Sequence, residues 1–134
     1  MKNYQVLIVE DERRIARFLQ MELEHEGMNT AIEDNGRRAY ERIVQGNYDL
    51  VLLDVMLPDM NGFSICQKIR ETQNFPIIML TAKDEEIDKI TGLTLGADDY
   101  MTKPFNILEV KARIKAIMRR TSAAPAKEKE VETV

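Results

Sequence analysis

Short runs that are apolar at nearly every position alternate along this chain with longer stretches whose apolar residues recur at helical spacing. Gln5–Val9 is the first run, and it stops abruptly at Glu10-Asp11-Glu12. Residues 28–32 are a shorter β-compatible stretch, framed by Gly27 and by Asp34-Asn35-Gly36. Residues 50–53 and 77–80 are wholly apolar and stop at Asp54 and Thr81, and Asp99–Thr102 is a weaker fifth candidate. Such runs fit parallel strands covered on both faces. Between them, Ile15, Phe18, Leu19 and Leu23 share one helical face, and Ala39, Tyr40, Ile43 and Val44 share another that Gly46 stops. Ile65, Cys66 and Ile69 mark a third helix, and Ile87, Ile90 and Thr91 a fourth that ends near Gly92 or Gly96. Val110, Ile114 and Ile117 mark a fifth, closing on Arg119-Arg120, cations suited to a helix C-terminus. Five βα units in succession predict an α/β domain with helices on both faces of a parallel sheet. Past Arg120 the pattern lapses: 121–134 is rich in Ala, Lys and Glu, contains Pro125, and reads as a linker or disordered tail.

Composition narrows the picture. The 134 residues suit one domain, and 44% hydrophobic content is enough for one buried core. A net charge of −4 argues against direct nucleic-acid binding, which needs at least one strongly basic face. The lone Cys66 has no disulfide partner, and without a CxxC pair it reads as a small core hydrophobe. His25 reads as an exposed helix-end residue, and the eight methionines as packing. No apolar run approaches the roughly 18 residues of a membrane span, so the expected location is cytoplasmic.

In an open parallel sheet, ligands bind beyond the carboxyl ends of the strands, where the strand order reverses. The polar residues of this chain fall at those ends: Glu10 and Asp11 after the first run, Asp54 after the third, Thr81 after the fourth and Lys103 after the fifth. Each has an ordinary explanation taken alone. An acidic triplet complements a helix N-terminus, an Asp or Thr after a strand caps a helix, and a lysine is a solvated charge. Occurring together in this order, they form a phosphoryl-transfer set. Carboxylates held close together repel, and Mg2+, a hard cation that prefers oxygen ligands, relieves that repulsion. One carboxylate, Asp54, then serves as the nucleophile, while Lys103 and the Thr81 hydroxyl meet phosphoryl oxygens. Lys103-Pro104 suits a rigid turn that aims the lysine.

These residues resemble a known family. Val6-Leu7-Ile8-Val9-Glu10-Asp11-Glu12, Asp54-Val55-Met56-Leu57-Pro58-Asp59-Met60-Asn61-Gly62, Leu80-Thr81-Ala82 and Gly96-Ala97-Asp98-Asp99-Tyr100-Met101-Thr102-Lys103-Pro104-Phe105 are similar to the receiver domains of two-component response regulators. The resemblance covers residues 4–120. It implies a flavodoxin-like, doubly wound (βα)5 fold with a five-stranded parallel sheet of order 2-1-3-4-5 and five helices. It also implies Asp54 as phosphoacceptor, with Glu10, Asp11, Asp54 and the Met56 backbone carbonyl as ligands to Mg2+. Thr81 matches the switch hydroxyl, Lys103 the phosphate-pairing lysine, and Tyr100 the aromatic that turns inward with Thr81. The side chains of Met56 and Lys83 match positions that tune dephosphorylation.

Within the family, the stretch from Gly92 to Arg120 resembles the OmpR/PhoB group of transcriptional regulators. That resemblance implies dimerisation on phosphorylation through the fourth helix, fifth strand and fifth helix. The expected intersubunit pairs are Lys89 with Glu109, Asp99 with Arg113, and Asp98 with Arg120. It further implies a cognate sensor histidine kinase as phosphoryl donor and a C-terminal DNA-binding domain beyond this chain. Residues 1–120 are then the receiver domain and 121–134 a linker or disordered tail, and the chain is expected to be a receiver fragment of a longer regulator, with a stand-alone receiver as the alternative. Such a protein is a switch that catalyses only its own phosphorylation and dephosphorylation, and not an enzyme acting on a separate substrate. Two readings compete. A hydrolase of the haloacid-dehalogenase type would want a second acid two residues after its nucleophile, where this chain has Met56. A flavodoxin-like cofactor binder would want a glycine- and hydroxyl-rich loop where Glu10-Asp11-Glu12 stands.

Overall fold

The apolar runs become the strands of one parallel sheet in the computed structural model, which describes residues 3–82 and 96–133, with side chains as far as 120. Strands β1 (Gln5–Val9), β2 (Asn29–Glu33), β3 (Leu50–Asp54), β4 (Ile77–Thr81) and β5 (Asp99–Thr102) lie in the order β2-β1-β3-β4-β5. The order reverses between β1 and β3, which is where such a sheet opens a crevice at its carboxyl end. Helices α1 (Arg13–His25), α2 (Gly36–Gln45) and α3 (Gly62–Thr72) and a C-terminal helix (Ile107–Thr133) flank the sheet. The helix expected around Ile87, Ile90 and Thr91 lies outside the described residues, as do Lys83 and Lys89.

Side chains alternate across a strand, and this divides the core in two. Val6, Ile8, Leu50, Leu52, Ile78 and Leu80 pack on one face, under α1 and the C-terminal helix. Leu7, Val9, Val51, Leu53, Ile77 and Met79 pack on the other, under α2 and α3. Covering both faces is why β3 and β4 carry no polar residue until their last positions, and why β1 is apolar from Val6 to Val9 after the exposed Gln5. Each fully buried aliphatic side chain contributes about 1.5–3 kcal/mol of burial. Strand β2 lies at the sheet edge and is only half-buried, so its pattern is weaker and it begins one residue later than the apolar run.

The helices meet the sheet through narrower stripes than their apolar faces. On α1 the buried line is Ala16, Leu19 and Leu23, while Phe18 stays 40% exposed; on α2 Val44 stays 46% exposed. Asn35 caps α2 by accepting the Arg38 N–H at 2.9 Å, and Asn61 caps α3 by accepting the Phe63 N–H at 2.7 Å. The C-terminal helix continues to Thr133, so the backbone is helical over 121–133, where the sequence predicts the pattern to end at Arg120. Ala, Lys and Glu have high intrinsic helix propensity, which favours helix even without an amphipathic stripe.

Candidate functional site

Strand register builds the site. Val9 pairs with Leu53, so the next residues along, Glu10 and Asp54, sit side by side at the carboxyl edge of the sheet. Asp54 also pairs with Leu80, and Thr81 pairs with Thr102, which brings the ends of β4 and β5 up beside β3. The Lys103 N–H then donates to the Thr81 carbonyl, and a cis Lys103-Pro104 peptide follows. The groups foreseen at four strand ends therefore converge on one rim.

Glu10 and Asp54 are buried, and Asp11 is exposed above them; carboxylate oxygens of all three lie within 4.8 Å of one another. The Lys103 Nζ lies 2.6 Å from Glu10 Oε1, 3.4 Å from Asp54 Oδ2 and 3.9 Å from Glu12 Oε1. The Met56 N–H donates to Asp54 Oδ1 at 3.3 Å, and the Glu12 N–H donates to Glu10 Oε2 at 3.0 Å. Burial pushes the Glu10 carboxyl up to about 7; Lys103 and the Glu12 N–H pull it down, and the Asp54 charge adds to the rise. Burial likewise raises Asp54, against the pull of Lys103 and the Met56 N–H. At Lys103 burial disfavours the charge, but Glu10 and Asp54 outweigh it and hold the ammonium above its ordinary range.

A site with more buried negative charge than one lysine balances will take up a cation or a proton. Its donors are hard carboxylate oxygens, and Glu10 Oε1, although close to Lys103, has no aligned hydrogen-bond donor among the described residues. The residues present therefore fit a hard divalent ion. Thr81 is buried at the end of β4, and Tyr100 is buried on β5, packed on the face under α2 and α3. The Met56 side chain is 57% exposed.

The residues expected at a dimer face are placed differently from one another. Arg113 on the C-terminal helix forks onto Asp99 at 2.8 and 3.0 Å and reaches Glu109 at 3.2 Å, all within this chain. Asp98 is bound by Arg70 of α3 at 2.6 Å and accepts the Ile77 N–H at 2.8 Å. Its carboxylate thus already has partners in the same chain, whereas Arg120 lies exposed on the C-terminal helix. Arg70 also donates to the carbonyls of Gly96 and Phe75, at 2.7 and 2.6 Å. Sequence reading had given Arg70 no role; an arginine in the last turn of a helix looks like an ordinary complement to the macrodipole.

Gly62 is a second residue whose role was not foreseen. A Cβ on it would stand 2.3 Å from the Asp54 carbonyl oxygen, so only glycine lets α3 start against the end of β3. A glycine in the first turn of a helix, where propensity argues against it, is the sequence signal that could have revealed this.

Comparison with known proteins agrees with this geometry. The family model for the response regulator receiver domain matches residues 6–115. The response regulator ArlR of Staphylococcus saprophyticus is 52% identical over 115 residues, which are 86% of this chain and 52% of that protein. The chain thus spans about half the length of the curated relatives it matches. Among solved structures, the receiver domain of Francisella response regulator 1452 superposes with a TM-score of 0.85 at 38% identity, covering 89% of this chain and 99% of that one. Thermotoga maritima TrrA, crystallised in complex with Mg(2+)-BeF, superposes with a TM-score of 0.77 at 34% identity, over 85% of this chain and 98% of that one. By sequence and by fold, the chain belongs to the response regulator receiver domain family, in the OmpR/PhoB group of its ArlR relatives.

Proposed function

We propose that this chain is a phosphorylation switch in which Asp54 accepts a phosphoryl group from a histidine kinase and changes how the domain pairs with a second copy. The observation that carries this reading is the convergence of Glu10, Asp11 and Asp54 within 4.8 Å, with the Lys103 ammonium 3.4 Å from Asp54. Mg2+ bound by Glu10, Asp11, Asp54 and the Met56 carbonyl would neutralise charge on the incoming phosphoryl group. Asp54 supplies the attacking oxygen. A new O–P bond forms as the bond from phosphorus to the donor nitrogen breaks, and that nitrogen leaves with its electron pair and takes up a proton. Lys103 gives up part of its contact with Glu10 to meet a phosphoryl oxygen, and the Thr81 hydroxyl meets another. Burial of Asp54 keeps water from competing with the carboxylate.

Thr81 ends β4 and Tyr100 lies on the adjacent β5, a strand of the proposed pairing face, which supports their role as the relay from the site to that face. The parent protein is read as a cytoplasmic regulator, with 121–134 linking the receiver to a DNA-binding output domain. The test is to add Mg2+ with acetyl phosphate or a beryllofluoride mimic and measure mass and oligomeric state. Wild type gains a phosphoryl group and shifts towards dimer, while Asp54→Asn does neither. Equal responses from the two proteins would refute the assignment.

A further inference from the structure

Helix α2 begins at Gly36 and leaves its first backbone N–H groups without partners inside the helix. Asn35 satisfies the Arg38 N–H from the adjoining position. The two N–H groups before it are satisfied from far along the chain. Asp59 Oδ1 accepts the Gly36 N–H at 2.7 Å, and Asp59 Oδ2 accepts the Arg37 N–H at 3.0 Å. This carboxylate belongs to the turn between β3 and α3, the same turn that carries Met56. The turn is short and closed on itself: Met56 bridges to Asn61, and the Gly62 N–H donates to the Val55 carbonyl at 2.8 Å. Gly36 permits the close approach, since a Cβ there would meet Met60 Cβ and Ile65 Cδ1 at 3.0 Å.

A local cap needs one side chain from the position before the helix. A carboxylate that forks onto two N–H groups from another segment ties that segment to the helix in both distance and direction. The positive end of the α2 dipole strengthens both bonds, and these bonds hold the Asp59 carboxyl below its usual range. Because Met56 and Asn61 are bridged, fastening Asp59 also restricts Met56, whose N–H touches Asp54 and whose carbonyl is the proposed backbone ligand.

We propose that Asp59 is a positioning residue for the cation site: by clamping the turn 55–61 to the N-terminus of α2, it fixes the Met56 backbone beside Asp54. This rests on the proposed Mg2+ site and adds to it a residue that touches neither the ion nor the phosphoryl group.

A pair of variants separates positioning from plain helix capping. Asn35→Ala and Asp59→Ala each remove a cap from α2, and both are expected to lower Tm. Only Asp59→Ala also releases the turn. Isothermal titration with MgCl2, without phosphoryl donor, should show about tenfold weaker binding for Asp59→Ala, the scale on which supports of metal ligands act, and wild-type affinity for Asn35→Ala. Asp59→Asn keeps one acceptor oxygen and should fall between. Hydrogen exchange of the Met56 amide, measured without Mg2+, should speed up in Asp59→Ala and stay unchanged in Asn35→Ala. If Asp59→Ala binds Mg2+ like wild type, or if the two alanine variants weaken binding equally, the positioning role is wrong while the metal site stands. If wild type itself binds no Mg2+, the functional reading falls and this inference with it.

Discussion

Replacing Gly62 with alanine adds one methyl group at the most crowded contact beside the phosphoacceptor. The added Cβ would lie 2.3 Å from the Asp54 carbonyl oxygen and 2.9 Å from Val55 Cα. Both neighbours are backbone atoms, so no rotamer change relieves the clash. Helix α3 or the end of β3 must shift by about 1 Å to restore ordinary contact. Overpacking on this scale costs about 1–3 kcal/mol. For a domain of this size each kcal/mol lowers Tm by about 3–5 °C, so calorimetry should register a clear fall. The displaced backbone is also that of the nucleophile, and a misplacement of about 1 Å is expected to slow phosphoryl acceptance by up to about 100-fold. The rate is read by intact-mass spectrometry after mixing with acetyl phosphate and Mg2+. Leu23→Ala, a cavity in the core under α1 and remote from the rim, provides the control: it lowers stability but leaves the rate near wild type. A Gly62→Ala protein with unchanged Tm and rate would refute the crowding argument. One that loses rate only in proportion to Leu23→Ala would confine the effect to stability.

Other outcomes follow from the same geometry. Glu10 has a folded-state pKa near 7, above the 4.5 of the unfolded chain, so the native state holds a proton that the unfolded state has lost between these values. In EDTA, stability should therefore fall as pH rises from about 4.5 to 7 and flatten above; Mg2+, which needs the ionised form, should bind more tightly over the same rise, and Glu10→Gln should remove most of both slopes. Stability rising over that range in EDTA would contradict the assignment. At the pairing face, Arg113→Ala should weaken the beryllofluoride-induced dimer by about tenfold in equilibrium sedimentation, with Arg120→Ala near neutral because Asp98 is bound by Arg70; the reverse ranking would show that Asp98 changes partners. Arg70→Met removes hydrogen bonds to Gly96, Phe75 and Asp98 and should cost about 2 kcal/mol in urea denaturation, while phosphoryl acceptance persists.

How much could be read in advance depended on whether a feature was local. Strands β1, β3 and β4 were legible because both sheet faces are covered, which forces the buried positions to be apolar up to the rim, Gln5 alone standing exposed at the start of β1. For the same reason polar residues at the strand ends stood out in the sequence; Lys103 lies 2.6 Å from Glu10 and 3.4 Å from Asp54, and Thr81 ends the neighbouring strand β4. The edge strand β2 was blurred because one flank faces solvent. Faces of α1 and α2 were read too broadly, since periodicity shows which residues share a side but not how far the sheet extends beneath them. The contacts of Asp59, Arg70 and Gly62 were not legible. Asp59 meets α2 across 23 positions and Arg70 meets Asp98 across 28, and no periodicity records pairings that only the strand order creates.

The Arg113 fork onto Asp99 and Glu109 carries a consequence for cells that hold many related receivers. Each chain arrives at an encounter with its charges already matched. In the pairing proposed above, a second copy would exchange Asp99–Arg113 for the same pair drawn across a two-fold axis, so the number of matched charges would be conserved and self-pairing would carry little electrostatic penalty. A foreign receiver with a different residue at either position would break that conservation and leave short of a carboxylate an arginine whose Nε has no partner among the described residues. In the proposed pairing the fork would therefore do two things at once, adding to the strength of self-pairing and discriminating between signalling lines.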